Sequence, residues 1–154
     1  MTYLIQFAVA MVATISFSII FSAPAKELPF CGITGAVGWI VYFVMTRTVT
    51  GPVAASLIAT LLLTLLARIF AAKRRLPVTV YLLAGIFPLV PGAGIYYTAF
   101  YFFTGNREMF AHIGAETFEI GIAIVFGIIF GSALPQVIFN KLTGNPGAVK
   151  GARR

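Results

Sequence analysis

The sequence holds no aspartate, one cysteine, one histidine and only four acidic side chains, Glu27, Glu108, Glu116 and Glu119. Each shortage removes a class of chemistry. A single cysteine permits neither an internal disulfide framework nor a cysteine-based metal site, so Cys31 reads as a small apolar residue packed in a helix. With one histidine, one cysteine and no aspartate there is no metal cluster and no nucleophile–base pair, and neither catalysis nor a cofactor or metal is expected. Charge itself is scarce: 10% of the chain, against about one quarter in a soluble domain. So few charged side chains cannot cover a soluble surface. What replaces them is apolar, with 60% hydrophobic residues and a mean hydropathy of +0.99, the balance of an integral membrane protein.

The formal net charge of +7 does not point to nucleic acid, because the basic residues stand at the edges of apolar runs and form no basic face. They read as membrane flanks, with the lipid bilayer as the partner. Charge-free runs cover residues 1–25, 28–46, 48–67, 76–106 and 120–140. A spanning helix needs about 20 apolar residues. The runs therefore predict an all-α integral membrane fold of about five transmembrane helices, near 3–22, 33–50, 52–71, 78–103 and 117–140. Ala23-Pro24-Ala25 and Pro29, Gly51-Pro52, and Pro77 supply the breaks between them. Residues 1–141 make one transmembrane domain, and 142–154, with Gly144, Pro146, Gly147 and Gly151, a flexible basic tail. The first helix has no basic leader and a longer apolar stretch than a cleaved signal needs, so it is expected to be retained. With five spans, Lys26, Lys73, Arg74, Arg75, Lys141, Lys150, Arg153 and Arg154 fall on one side and only Arg47 and Arg107 on the other. That asymmetry predicts the N-terminus outside and the C-terminus in the cytoplasm.

The run 76–106 is longer than one span and is interrupted at its centre by Pro88, Pro91, Gly92 and Gly94. Each proline removes a donor and clashes with the carbonyl four residues back, so a helix broken over Pro88–Gly94 is expected. In hydrocarbon such a break survives only where protein or a wet cavity satisfies the backbone. The N–H groups around Ala93 and Gly94 would open the second half with the positive end of a helix dipole, the arrangement that faces anionic substrate groups in secondary transporters. A packing kink is the competing reading, and both stand at this stage.

The stretch Ala67-Arg68 … Lys73-Arg74-Arg75-Leu76-Pro77 … Gly85-Ile-Phe-Pro88-Leu-Val-Pro91-Gly92 … Tyr96-Tyr97 resembles the threonine/serine exporter family, as does Gly35-Ala36-Val37-Gly38-Trp39 … Tyr42. The resemblance runs from the first helix to the fifth and is nearest to the short form that corresponds to the C-terminal half of the full-length exporter. It implies a separately encoded, larger homologous membrane subunit as partner. It also implies export of small hydrophilic metabolites, threonine and serine or small carboxylates such as succinate, across the cell (inner) membrane.

Other residues carry paired readings. His112, Glu116, Glu119, Ala123, Gly127, Gly131 and Pro135 repeat at three to four residues along one slowly drifting helix face. Gly127 and Gly131 suit close helix packing, as do Gly32, Gly35 and Gly38. Glu119 shares that face and is expected to turn into the protein, so Glu116, Glu119 and His112 are candidates for proton coupling, against plain solvation at the membrane edge. Arg68 either snorkels to the interface or serves as counter-charge to a carboxylate substrate or a partner's glutamate. Tyr96, Tyr97, Phe100, Tyr101, Phe102 and Phe103 read as an interfacial belt, with Tyr96 as a possible site residue beside the break, and Trp39 and Tyr42 read likewise. The alternatives to a two-component exporter are a non-transporting scaffold subunit and a self-sufficient homo-oligomeric carrier.

Overall fold

The computed structural model describes residues 1–48 and 51–134, and these are helical with no strand. Helices α1 (Thr2–Ile20), α2 (Leu28–Thr48), α3 (Pro52–Arg74) and α6 (Arg107–Ala133) are each long and apolar enough to cross a bilayer. The fourth crossing is a pair, α4 (Thr79–Ile86) and α5 (Gly92–Phe103), with a 3-10 turn at Phe87–Leu89 and a bend of 52° between the halves. Counted as one span, the pair brings the total to five.

Backbone chemistry sets the ends. Three helices close in the same hydrogen-bonded wrap, in which a residue in the left-handed region is followed by an N–H that reaches five residues back. It occurs at Ser22 (φ 56), where the Ala23 N–H bonds the Ser18 carbonyl, and at Arg75 (φ 56), where the Leu76 N–H bonds that of Ala71. After α5 it occurs at Gly105 (φ 76), where glycine takes the left-handed backbone without penalty and the Asn106 N–H reaches the Tyr101 carbonyl.

Two expected boundaries are corrected. The second helix opens at Leu28, not Ile33: Pro29 sits in its first turn, where helix donors lack partners anyway, so it starts the helix rather than ending the preceding break. The last opens at Arg107, ten residues before Thr117, capped by the Asn106 carboxamide oxygen, which accepts from the Met109 N–H, with Glu108 in the first turn. It ends at Ala133, because Leu134 precedes Pro135 and takes an extended backbone. The expected helical residues Val49, Thr50 and 135–140, and the tail 142–154, lie outside the described residues.

Helix α3 is the centre of the body. Its buried stripe, Ala55, Ser56, Ala59, Thr60, Leu63, Thr64, Ala67, Arg68 and Ala71, meets α2, α4 and α6. Most of these side chains are small, and the partners answer with glycine. A Cβ at Gly38 would stand 2.6 Å from Leu63 Cδ1, and one at Gly131 would stand 2.7 Å from Thr64 Cβ. Gly35 likewise seats Thr14 of α1. Close backbone approach of this kind holds helices together where lipid offers no hydrophobic driving force. On this stripe Thr60 is fully buried, and its hydroxyl has no hydrogen-bond partner among the described residues, whereas those of Ser56 and Thr64 donate to the carbonyls four residues back. Thr60→Val keeps the shape and removes the unmet group, so a melt in detergent should be unchanged or raised. A clear fall would mean that the hydroxyl serves a partner.

The two halves of the broken span belong to different neighbourhoods. Helix α4 packs on α2 and α3 and touches α1, whereas α5 buries no residue and finds its main contact in α6.

A broken span beside an open groove

Leu89, the last residue of the 3-10 turn, is buried against Ala59, Leu63, Ile120 and Ile124. Leu63 is the midpoint of α3, so the break stands at half height in the helical body. The chain then turns on Pro91, whose φ of −75° and ψ of 61° with a 2.7 Å bond from the Gly92 N–H to the Val90 carbonyl form an inverse γ-turn. Helix α5 starts at once. The Ile95 N–H bonds the Pro91 carbonyl, while those of Ala93 and Gly94 open the helix without a backbone acceptor among the described residues. Gly92 and Ala93 are exposed, and a Cβ at Gly92 would meet nothing within 4 Å, so the new helix end is open. Gly94 is held differently, seated directly on Thr117 of α6.

From the break a groove of about 1160 Å³ runs between α5 and α6. Val90 and Pro91 form its lower end, Thr98 and Thr117 its middle, and Phe102 and Phe110 its far end. Its walls are apolar. The two threonine hydroxyls donate within their own helices, to the carbonyls of Gly94 and Ile113. Among the described residues, backbone donors at half height therefore open beside a groove whose walls are apolar.

The family model described as Threonine/Serine exporter, ThrE, matches residues 6–134. The chain belongs to the threonine/serine exporter family. No curated protein and no solved structure matches it. Membership makes the chain an exporter-type, multi-pass membrane protein, and the bilayer is the environment of its exposed apolar helices.

The exporter's remaining site candidates fall into four places. Pro88, Pro91, Gly92, Ala93 and Gly94 form the break and the first turn of α5, and Pro91 lines the groove. Tyr96 does not: it is exposed on α5, meets Tyr97 edge-on and stacks on Phe100, while Ile95, Thr98 and Ala99 face the groove. Glu116 and Glu119 flank Thr117 and so stand level with the first turn of α5, but both are exposed, as is His112 one turn earlier. The expected inward turn of Glu119 is not made within this chain. A helix advances about 40° past a full turn for every four residues, so the packed stripe at Gly127 has rotated away from Glu119. The extra turns before Thr117 also set Glu119 near the middle of α6 rather than at its edge.

Arg68 does not snorkel to the interface. It is buried, and its Nη1 donates to the carbonyls of Gly131 and Ser132, both at 2.8 Å, capping the last turn of α6. Trp39 donates to the Gln6 carboxamide at 2.8 Å, tying α2 to α1, and its ring meets Tyr42.

Sequence reasoning missed one site altogether. Glu27, just before α2, is buried and accepts from Arg74 Nη2 at 2.7 Å, from Arg74 Nε at 3.0 Å and from the Tyr81 hydroxyl at 2.7 Å. The Arg74 guanidinium also lies 4.7 Å from the Phe30 ring centroid. The available signal was scarcity: Glu27 is one of four acids and stands beside the basic segments.

Proposed function

We propose that the chain is one subunit of a secondary exporter of small hydrophilic metabolites, threonine and serine or small carboxylates such as succinate, completed by a larger homologous membrane subunit. The observation that carries this reading is the break at half height, whose N–H groups open on a face that the described helices leave uncovered. A hydrophilic substrate needs several polar partners in a dry site, and the α5–α6 groove supplies hardly any. A second subunit seated there would bring the rest. In this reading the N-terminus lies outside, and Pro88–Gly94 contribute the substrate contacts of this half. Glu116, Glu119 and His112, level with or just beyond the first turn of α5, carry protons. A carboxylate near the middle of a span is costly unless it faces protein or water, which also favours a covering partner.

The test is efflux of labelled threonine, serine and succinate from cells. It compares the chain alone, the chain with its larger partner, and the pair with Pro91→Ala and Gly92→Leu together. A Cβ at Gly92 meets nothing within 4 Å, so the pair of substitutions is aimed at the break. Export that needs both chains and falls at least about tenfold in the double variant, at unchanged membrane levels, is expected; each 1.4 kcal/mol of lost stabilisation is tenfold. Wild-type export by the variant reduces the break to a kink. Full export by the chain alone would favour a homo-oligomeric carrier.

A further inference from the structure

We infer that Glu27, Arg74 and Tyr81 are positioning residues that anchor the first half of the broken span, so that α5 swings about Val90–Gly92 in the transport cycle. The two halves are held in unlike ways. At the base of α4, one carboxylate gathers groups from three places: Glu27 between α1 and α2, Arg74 at the end of α3, and Tyr81 in the first turn of α4. The guanidinium binds it through both Nε and Nη2, the fork geometry that fixes orientation as well as distance. Aromatic rings close the cluster: Phe30 lies against Arg74, Phe70 against Phe30 at 5.3 Å, and Tyr81 against Phe70 at 6.0 Å. The Tyr81 side chain is fully buried, and next to it the Cys31 thiol lies 3.5 Å from the Val80 carbonyl. Helix α4 cannot move there without exposing a buried carboxylate.

Beyond the break nothing comparable exists among the described residues. Helix α5 has no buried residue, bears mainly on α6 and contacts it through Gly94–Thr117 and Thr98–Gly114. The joint itself is built to turn. Its ladder is interrupted by the γ-turn at Pro91, Val90 is exposed, and the space around Gly92 is empty. Few backbone bonds and no fully buried side chain oppose rotation at these three residues, which is the description of a hinge. An exporter must show its site to each side in turn. Here the inner half of the broken span is fixed to the body and the outer half is free to follow its neighbour.

The flux part of the test rests on the exporter reading; the distance part does not. In a Cys31→Ala background, spin labels at Leu62 and Leu83 report across the anchor, and labels at Leu83 and Tyr97 report across the hinge, in liposomes with the complete exporter. The first pair is expected to give one narrow distance that threonine does not change. The second is expected to give two distances whose proportions threonine shifts. Tyr81→Phe and Glu27→Gln should broaden the first pair and lower the maximal export rate about tenfold, the scale of one hydrogen bond to a charged group, with the half-saturating concentration little changed. Arg74→Lys keeps the charge but not the fork and should fall between. A single, substrate-independent distance across Leu83–Tyr97 in an actively exporting protein overturns the hinge. Wild-type rates with a narrow Leu62–Leu83 distance in Tyr81→Phe and Glu27→Gln overturn the anchor. If the unaltered protein exports none of the candidates, the exporter reading falls, and the distances alone then decide whether the joint moves.

Discussion

Gly127→Leu is expected to remove most of the folded protein from the membrane. Helix α6 has its largest contact with α3, and Gly127 lies in that seam. A bare Cβ at this position would already stand 2.8 Å from Thr60 Cβ, 2.9 Å from the Leu57 carbonyl oxygen and 3.1 Å from the Leu61 nitrogen. Two of those three atoms are backbone, so relief requires the helices to part along their length. Overpacking a tight core costs about 1–3 kcal/mol even where side chains can yield, and here they cannot. Gly121→Ala on the same helix is the control, since a Cβ there meets nothing within 4 Å. Membrane levels and a melt in detergent compare the two, with collapse expected for the first and wild-type behaviour for the second. Equal melts would mean that α6 does not seat on α3 at this glycine.

Arg68→Met should be the next most damaging single change, at about 2–4 kcal/mol. The guanidinium holds the Gly131 and Ser132 carbonyls, which lie in the last turn of α6 and have no donors within the helix. A cation at a helix C-terminus is further favoured by the dipole. Methionine fills much of the volume and abandons both oxygens in an apolar setting. Arg68→Lys separates this cap from the counter-charge role. Lysine keeps the positive charge but offers a point charge instead of a planar fork. A cap predicts partial loss of melting temperature with lysine and an unchanged ratio of carboxylate to amino-acid export. A substrate counter-charge predicts a normal melt in Arg68→Met with selective loss of carboxylate export.

The spans and the break were legible in the sequence because each follows from local chemistry. Charge-free runs measure hydrocarbon, and two prolines with two glycines around residue 91 leave a helix no continuous ladder. The same ruler misjudged the last helix because it measures apolar length, not helix length. Arg107, Glu108, His112 and Glu116 interrupt the apolar run yet continue the helix, which Asn106 caps from the polar side. Tyr96 was placed by counting one turn from the break, but the γ-turn resets the rotational phase, and the neighbours of Tyr96 face the groove instead. The Glu27 cluster was hidden for another reason. Its partners lie 47 and 54 residues away, and no periodicity links a connecting turn, the end of one helix and the start of another. The cap on α6 joins residues 63 and 64 apart and was hidden in the same way.

The tight turn at Gly105 has a consequence for how the chain is made. Helices α1 to α4 can gather around α3 as they emerge, but α5 leaves the ribosome with little in that body to lean on. Its companion, α6, is synthesised directly afterwards, and Gly105 folds the two into a hairpin. Helix α5 therefore gains its main packing only once α6 has been made. A chain that stopped just beyond Phe103 would leave α5 without its main neighbour.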